Sequence, residues 1–168
     1  HRYAELGYNL YPEVPYFIVK QAISLQEQGR NTEALALLDP RNNSDEYANP
    51  QLTAAYSGIS QEWATHLMEN KMPDIAMEVI DSALIHDSNN RELLYTKGLI
   101  YESRKMYEKA YKYQMRYYEP SNAEQEDFIQ HMRYLAFRSY RNRVDASYTH
   151  AFFDTHSESL STIGHLYS

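Results

Sequence analysis

The 168-residue chain has no cysteine, which excludes disulfides and thiolate metal sites. It has only 5 glycines, too few for a fold rich in tight turns and more typical of helices. It also lacks any run of about 18 apolar residues, the length that crosses a bilayer as a helix. Lys and Arg number 16 against 23 Asp and Glu, so we expect no nucleic-acid partner, because binding a phosphate backbone needs clustered cations.

Apolar residues are abundant enough to form a buried core. They make up 43% of the chain, which indicates a folded domain rather than a disordered one. Tyrosine is unusually frequent, with 17 residues. Because tyrosine combines a large contact area with a polar tip, we expect most of these rings to fill contacts between helices and some to line a binding surface.

Residues 57–90 and 91–124 repeat one 34-residue pattern. Aligning the two copies places Ala64 on Gly98 and Ala76 on Ala110. A small residue in a first helix, followed by an alanine in a second, lets paired helices approach closely. A period of about 34 residues with this pattern resembles the tetratricopeptide repeat, a helix–turn–helix unit. We therefore expect these four small residues to be buried where helices cross.

The resemblance implies an all-α fold, a tetratricopeptide-like α-α superhelix of antiparallel helix pairs with a short C-terminal β segment. The expected units follow in chain order: a partial repeat 1–14, a repeat 15–56 with a loop insertion at 39–52, repeats 57–90 and 91–124, a final helix 125–140, and the β segment 141–168. Because the chain begins in the middle of a repeat, we expect it to be part of a longer protein. Lys97 and Gln114 depart from the family pattern, which has apolar residues there, and Pro73 is expected to begin a second helix.

From residue 141 the hydrophobic pattern alternates, as in a β-strand, and 161–168 could begin a second strand. The alternation places four apolar residues on one predicted face: Val144, Ala146, Tyr148 and Phe152. The segment resembles the first barrel strand of YaiO-type and polysaccharide-exporter outer-membrane proteins, in which a periplasmic repeat domain precedes the barrel. The alternative is a hairpin or tail that packs on the last helix.

Catalytic and metal-binding patterns are missing from the sequence. The histidines are scattered, no HExxH or Gly-x-Ser-x-Gly motif occurs, and no Gly-rich phosphate loop is present. We therefore expect a chain that is not an enzyme and needs no cofactor or metal.

The first helices of stacked repeats line a concave groove that commonly binds partners. The resemblance places the following residues in it: Tyr16, Val19, Ile23, Gln26, Gln61, Thr65, Met68, Glu69, Glu92, Tyr95, Leu99, Glu102, Ile129, Arg133 and Phe137. The Lys, Arg and Asn clamp that some family members use to hold a carboxylate terminus is replaced here by Gln, Thr, Glu and Tyr. An acidic, tyrosine-rich groove suits a basic peptide or a sugar polymer.

Two functional hypotheses follow. The first is a non-catalytic module on the periplasmic side of a bacterial outer membrane, attached to a barrel and binding a protein, peptide or polysaccharide partner. The second is a soluble, cytoplasmic tetratricopeptide scaffold for protein complexes with no membrane role. An enzyme is a third hypothesis only if the chain continues beyond these residues. A strand that lacks its sheet neighbours exposes an open edge, so we also expect self-association through 141–168.

Overall fold

The computed structural model describes residues 2–39, 49–118 and 125–140, and the backbone of two strands between residues 142 and 167. Within these residues the body of the chain is α-helical, which confirms the predicted helical fold. The helices have the following bounds: α1 Arg2–Leu10, α2 Pro15–Glu27, α3 Asn31–Leu38, α4 Pro50–Glu69, α5 Pro73–His86, α6 Arg91–Ser103, α7 Tyr107–Gln114, continued by a 3-10 turn at Met115–Tyr117, and α8 Glu126–Ser139.

The same three-residue turn joins α2 to α3, α4 to α5 and α6 to α7. Its middle residue adopts a left-handed conformation in every case, with φ of 77° at Gly29 and 60° at both Lys71 and Lys105. The N–H of the following residue donates to the carbonyl five positions back, at 2.9 Å in all three turns: Arg30 to Leu25, Met72 to Leu67 and Met106 to Tyr101. This is the Schellman arrangement that ends helices. The three helix pairs are therefore built on one backbone pattern.

Small residues lie where the helices of a pair cross. Ala64, Ala76 and Ala110 are fully buried, and Gly98 is buried as well. A Cβ atom at Gly98 would overlap the Gln114 Cγ and would lie 3.1 Å from the Gln114 backbone nitrogen. The α6 and α7 backbones thus approach as closely as a glycine allows. The predicted burial of all four residues is confirmed, and α5 begins at Pro73 as expected.

The two polar departures from the repeat pattern have polar partners. Lys97 Nζ lies 2.6 Å from Asp81 Oδ1 and 5.1 Å from the ring centroid of Tyr113. Burial opposes the charge of Lys97, but the hydrogen bond and charge of Asp81 outweigh it and raise the lysine pKa. Gln114 is fully buried, and its Nε2 donates to Glu102 Oε2 at 2.9 Å. The side-chain nitrogens of both residues therefore have partners within the helical body.

The start of α4 differs from the loop expected at 39–52. The helix begins at Pro50, so residues 50–52 are helical and α4 starts before the expected repeat boundary at residue 57. Asn49 caps the helix, because its Oδ1 accepts a hydrogen bond from the Gln51 N–H at 2.9 Å, and proline suits the first helical position. The rest of the expected insertion, residues 40–48, and the end of the expected repeat 91–124, residues 119–124, lie outside the described residues.

The buried core consists of two clusters. The larger one runs through α2, α3, α4, α5 and α6, and its fully buried members include Leu38, Ile80 and Ile100. The smaller one joins α7 to α8 through Ala110, Met132 and Leu135. Among the described helices, none has both the length and the apolar character needed to span a bilayer.

The C-terminal backbone forms an antiparallel hairpin of two 12-residue strands, β1 Asn142–Phe153 and β2 His156–Tyr167. Its register pairs Asn142 with Tyr167 at the open end and Phe153 with His156 at the closed end.

Candidate functional site

One face of α2 lines a pocket against α4. Tyr16, Val19, Ile23 and Gln26 recur at helical spacing, so they lie on one side of the helix. All four line this cavity, which has a volume of about 460 Å³. We call it the α2–α4 pocket. The residues that the repeat resemblance assigned to α2 are therefore brought together at one site.

The α4 wall of this pocket is formed by Ala55, Gly58 and Ile59, with Gln51 and Glu62 at its polar margin. A Cβ atom built at Gly58 meets nothing within 4 Å, so the pocket is open directly above this glycine. None of these α4 residues was assigned to the groove from the sequence. A signal was available in the spacing of Gln51, Ala55, Gly58 and Glu62, which recur along one side of a helix that begins at Pro50.

A second, more polar cavity adjoins the first. It has a volume of about 540 Å³ and shares Gln26 and Glu62 with the α2–α4 pocket. The Gln26 side chain donates a hydrogen bond to the Glu62 carboxylate at this shared wall. Glu27 and Trp63 also line the second cavity, and no Lys or Arg lines it within the part of the chain that the structure describes. We call it the acidic pocket.

The third cavity combines predicted and unpredicted residues. Met68, Tyr95, Leu99 and Glu102, all assigned to the groove from the sequence, line a space of about 680 Å³. The other side includes two α8 residues that the sequence did not single out, His131 and Tyr134. We call this space the α6–α8 pocket. It contains Lys105 as well as Glu102, so it has no single sign of charge.

Glu102 connects three helices at the α6–α8 pocket. Its Oε2 accepts from Gln114 Nε2 on α7 at 2.9 Å and lies 3.0 Å from His131 Nε2 on α8. Gln114 Oε1 is buried with no hydrogen-bond partner within the described residues. The carboxylate therefore holds α8 against the α6–α7 pair while it also faces the cavity.

Tyr95 supplies a neutral hydroxyl to the same cavity. Its ring centroid lies 4.9 Å from that of Tyr117 and 6.1 Å from that of Phe128. Burial raises the pKa of Tyr95, and the nearby Glu102 and Tyr117 raise it further. Tyr95 thus keeps its proton at neutral pH and can donate a hydrogen bond to a ligand.

The remaining predicted groove residues do not line these three cavities. On α4, Gln61 is half-buried, whereas Thr65 and Glu69 are exposed; Glu92 on α6 is exposed as well.

On α8, the residues predicted for the groove and the residues that line the α6–α8 pocket are different. Ile129 and Arg133 line a separate cavity of about 250 Å³ with Tyr111 of α7 and Met115 of the 3-10 turn, whereas Phe137 is exposed. His131 lies about 200° around the helix from Ile129, which explains why these two residues reach different cavities.

Among the described residues, no cluster of three or more His, Asp or Glu side chains has the geometry of a metal site. Comparisons with profiles of known protein families, with curated proteins and with solved structures found no match. The features that a function could use are therefore three cavities along helices α2, α4, α6 and α8: an apolar pocket, an adjoining acidic pocket and a tyrosine-lined pocket.

Proposed function

We propose that the chain is a tetratricopeptide-like α-α superhelix that binds an extended segment of a partner protein in its groove, without catalysing a reaction. The observation that carries the proposal is the α2–α4 pocket, because the four α2 residues assigned to the groove by the repeat resemblance all line it. The repeated turns at Gly29, Lys71 and Lys105 support the superhelix, since their spacings of 42 and 34 residues equal those between Ala34, Ala76 and Ala110.

A protein segment suits the α2–α4 pocket better than a polysaccharide does. The pocket wall is formed largely by aliphatic groups of Val19, Ile23, Ala55 and Ile59. These groups offer contact area to an apolar side chain but no hydrogen bonds to the hydroxyls of a sugar. A polysaccharide is the alternative partner, and it would use the α6–α8 pocket, where Tyr95 and Tyr134 provide rings and Glu102 accepts hydrogen bonds.

The proposal is tested by selecting peptides from a displayed library of random seven-residue sequences on the immobilised chain. Selected peptides are then synthesised and titrated against the chain, with the fluorescence of Trp63, the single tryptophan, as the readout. A panel of soluble bacterial polysaccharides is titrated in parallel by isothermal titration calorimetry, because Trp63 does not line the α6–α8 pocket. We expect peptides that bind in the micromolar range, corresponding to about 8 kcal/mol, and no binding of polysaccharides. Binding of a polysaccharide but no peptide would contradict the peptide-binding proposal and support the polysaccharide alternative.

A second candidate concerns the location of the module. The two 12-residue antiparallel strands are long enough to belong to a transmembrane barrel, whose strands need about 9–11 residues. We propose on this basis that the helical body is the periplasmic domain of an outer-membrane barrel protein. The alternative is a cytoplasmic scaffold with a β appendage.

The location is tested on the protein expressed with its native flanking sequence in its source cells. Sedimentation with the outer membrane, extraction only by detergent, and a gel mobility that changes on heating are the expected results for a barrel protein. Recovery in the soluble cytoplasmic fraction would contradict the membrane proposal and would leave the peptide-binding proposal intact.

A further inference from the structure

The α2–α4 pocket is open because its floor is built of small residues. Ala55 and Gly58 present almost no side chain, and the space above Gly58 is free within 4 Å of a built Cβ. A glycine inside a helix makes the helix less stable than an alanine does. Helix α4 is therefore less stable with Gly58 than it would be with alanine, although a Cβ atom at this position would meet no steric obstacle.

The charge around this pocket is uneven. The adjoining acidic pocket includes the carboxylates of Glu27 and Glu62, which are both exposed, and among the described residues no Lys or Arg lines either pocket. Within the described residues, Glu62 has a hydrogen bond from Gln26 but no ion pair. Trp63 adds an aromatic surface beside these carboxylates. A carboxylate next to an aromatic ring is a favourable environment for a guanidinium or an ammonium group.

We propose, resting on the peptide-binding function above, that the two pockets together recognise a partner segment through one apolar side chain and one basic side chain. The apolar side chain enters the α2–α4 pocket and covers Gly58. The arginine or lysine enters the acidic pocket, where it pairs with Glu62 and contacts Trp63. Glu62 lies in the wall that the two pockets share, so the two ligand side chains bind next to each other.

The distance along α4 defines the spacing in the ligand. Gly58 and Glu62, which pairs with the basic side chain, are four residues apart on the helix, or about 6 Å. An extended chain advances about 3.3 Å per residue, so positions about two apart reach both pockets. The expected motif is therefore an aliphatic or aromatic residue separated by about one position from an arginine or lysine.

The peptide library described above supplies the first test. The selected sequences should be enriched in an apolar residue and a basic residue at this spacing. A selected peptide is then compared with two synthetic variants, one with the basic residue replaced by glutamate and one with the apolar residue replaced by glycine. Each replacement should weaken binding about tenfold or more, as measured by Trp63 fluorescence.

Two variants of the chain test the pockets directly. Gly58→Met fills the α2–α4 pocket from its open floor, and Glu62→Lys reverses the charge at the shared wall. Both variants should bind the selected peptide about tenfold more weakly than the wild-type chain does. Glu62→Lys should bind the glutamate-containing peptide better than the wild-type chain does. Ala54→Met, at an exposed position of α4 that lines neither pocket, and Glu78→Lys, an equal charge change at an exposed site on α5, should bind like the wild type.

The outcomes separate this inference from the proposed function. If no peptide binds, the proposed function fails. If peptides bind without enrichment of basic residues, or if Gly58→Met and Glu62→Lys bind them as the wild type does, this inference is overturned and groove binding stands. Circular dichroism verifies that each variant is folded. If Gly58→Met does not fold, Ile23→Glu, at an exposed position on the opposite wall, replaces it and carries the same expectation.

Discussion

The two mid-helix glycines Gly58 and Gly98 should respond in opposite ways to alanine. Gly58 faces open space, so Gly58→Ala should gain the full helix propensity of alanine, about 1 kcal/mol. Gly98→Ala gains the same propensity, but its Cβ would overlap the Gln114 Cγ and lie 3.3 Å from the Ala110 carbonyl oxygen. Gln114 is fully buried, so relief requires the α6 and α7 backbones to separate. Such overpacking costs about 1–3 kcal/mol.

The difference between the two variants isolates the steric cost, because the propensity gain is common to both. Urea unfolding followed by far-ultraviolet circular dichroism should place Gly98→Ala about 1–3 kcal/mol below Gly58→Ala in free energy of unfolding. A double variant, Gly98→Ala with Gln114→Ala, should lose less free energy of unfolding than the sum of the losses of the two single variants. If Gly98→Ala is as stable as Gly58→Ala, the close crossing of α6 and α7 described above is wrong.

Three other results are expected. Lys71→Gly and Lys105→Gly should each stabilise the chain by about 0.5–1 kcal/mol in urea unfolding, since glycine adopts a positive φ without the steric cost that lysine has; unchanged or lower stability would contradict the assigned turn. Asp81→Asn should cost about 1 kcal/mol, because it weakens the contact to the largely buried Lys97, and no loss would show that this contact is not formed. Deleting 141–168 should preserve the helical circular dichroism signal and abolish self-association, measured by static light scattering; a chain that is already monomeric at high concentration would contradict the second part.

The helix pairs could be predicted because close packing requires small residues where helices cross, and these residues recur along the sequence at the spacing of the pairs. Ala34, Ala76 and Ala110 are all fully buried, so their spacing reports the geometry of helix crossings directly. The turns that connect the helices of each pair are harder to predict from the sequence. Gly29 indicates a left-handed residue, whereas Lys71 and Lys105 have the same backbone conformation without a sequence signal for it. Local sequence therefore revealed one of three equivalent turns.

The α2 residues that share a cavity could be predicted from the sequence, those of α4 and α8 only in part. Pro50 fits a loop as well as a helix start, because proline after a capping asparagine also begins helices, and interpreting it as a loop residue hides the α4 wall of the pocket. On α8, apolar residues occur on more than one side: Met132 and Leu135 are buried, and Ile129 is half-buried. A pattern of this kind does not define which side faces a groove, so His131 was overlooked.

The central claim is that the surface formed by α2 and α4 binds a partner segment. The most direct measurement is a titration of the ¹⁵N-labelled chain with a selected peptide, followed by amide chemical shifts. We expect the largest shifts at residues that line the α2–α4 and acidic pockets, above all Ile23, Gly58, Glu62 and Trp63, with α5 and α7 little changed. Shifts concentrated on α5 and α7, or on the strands between residues 142 and 167, would contradict the claim.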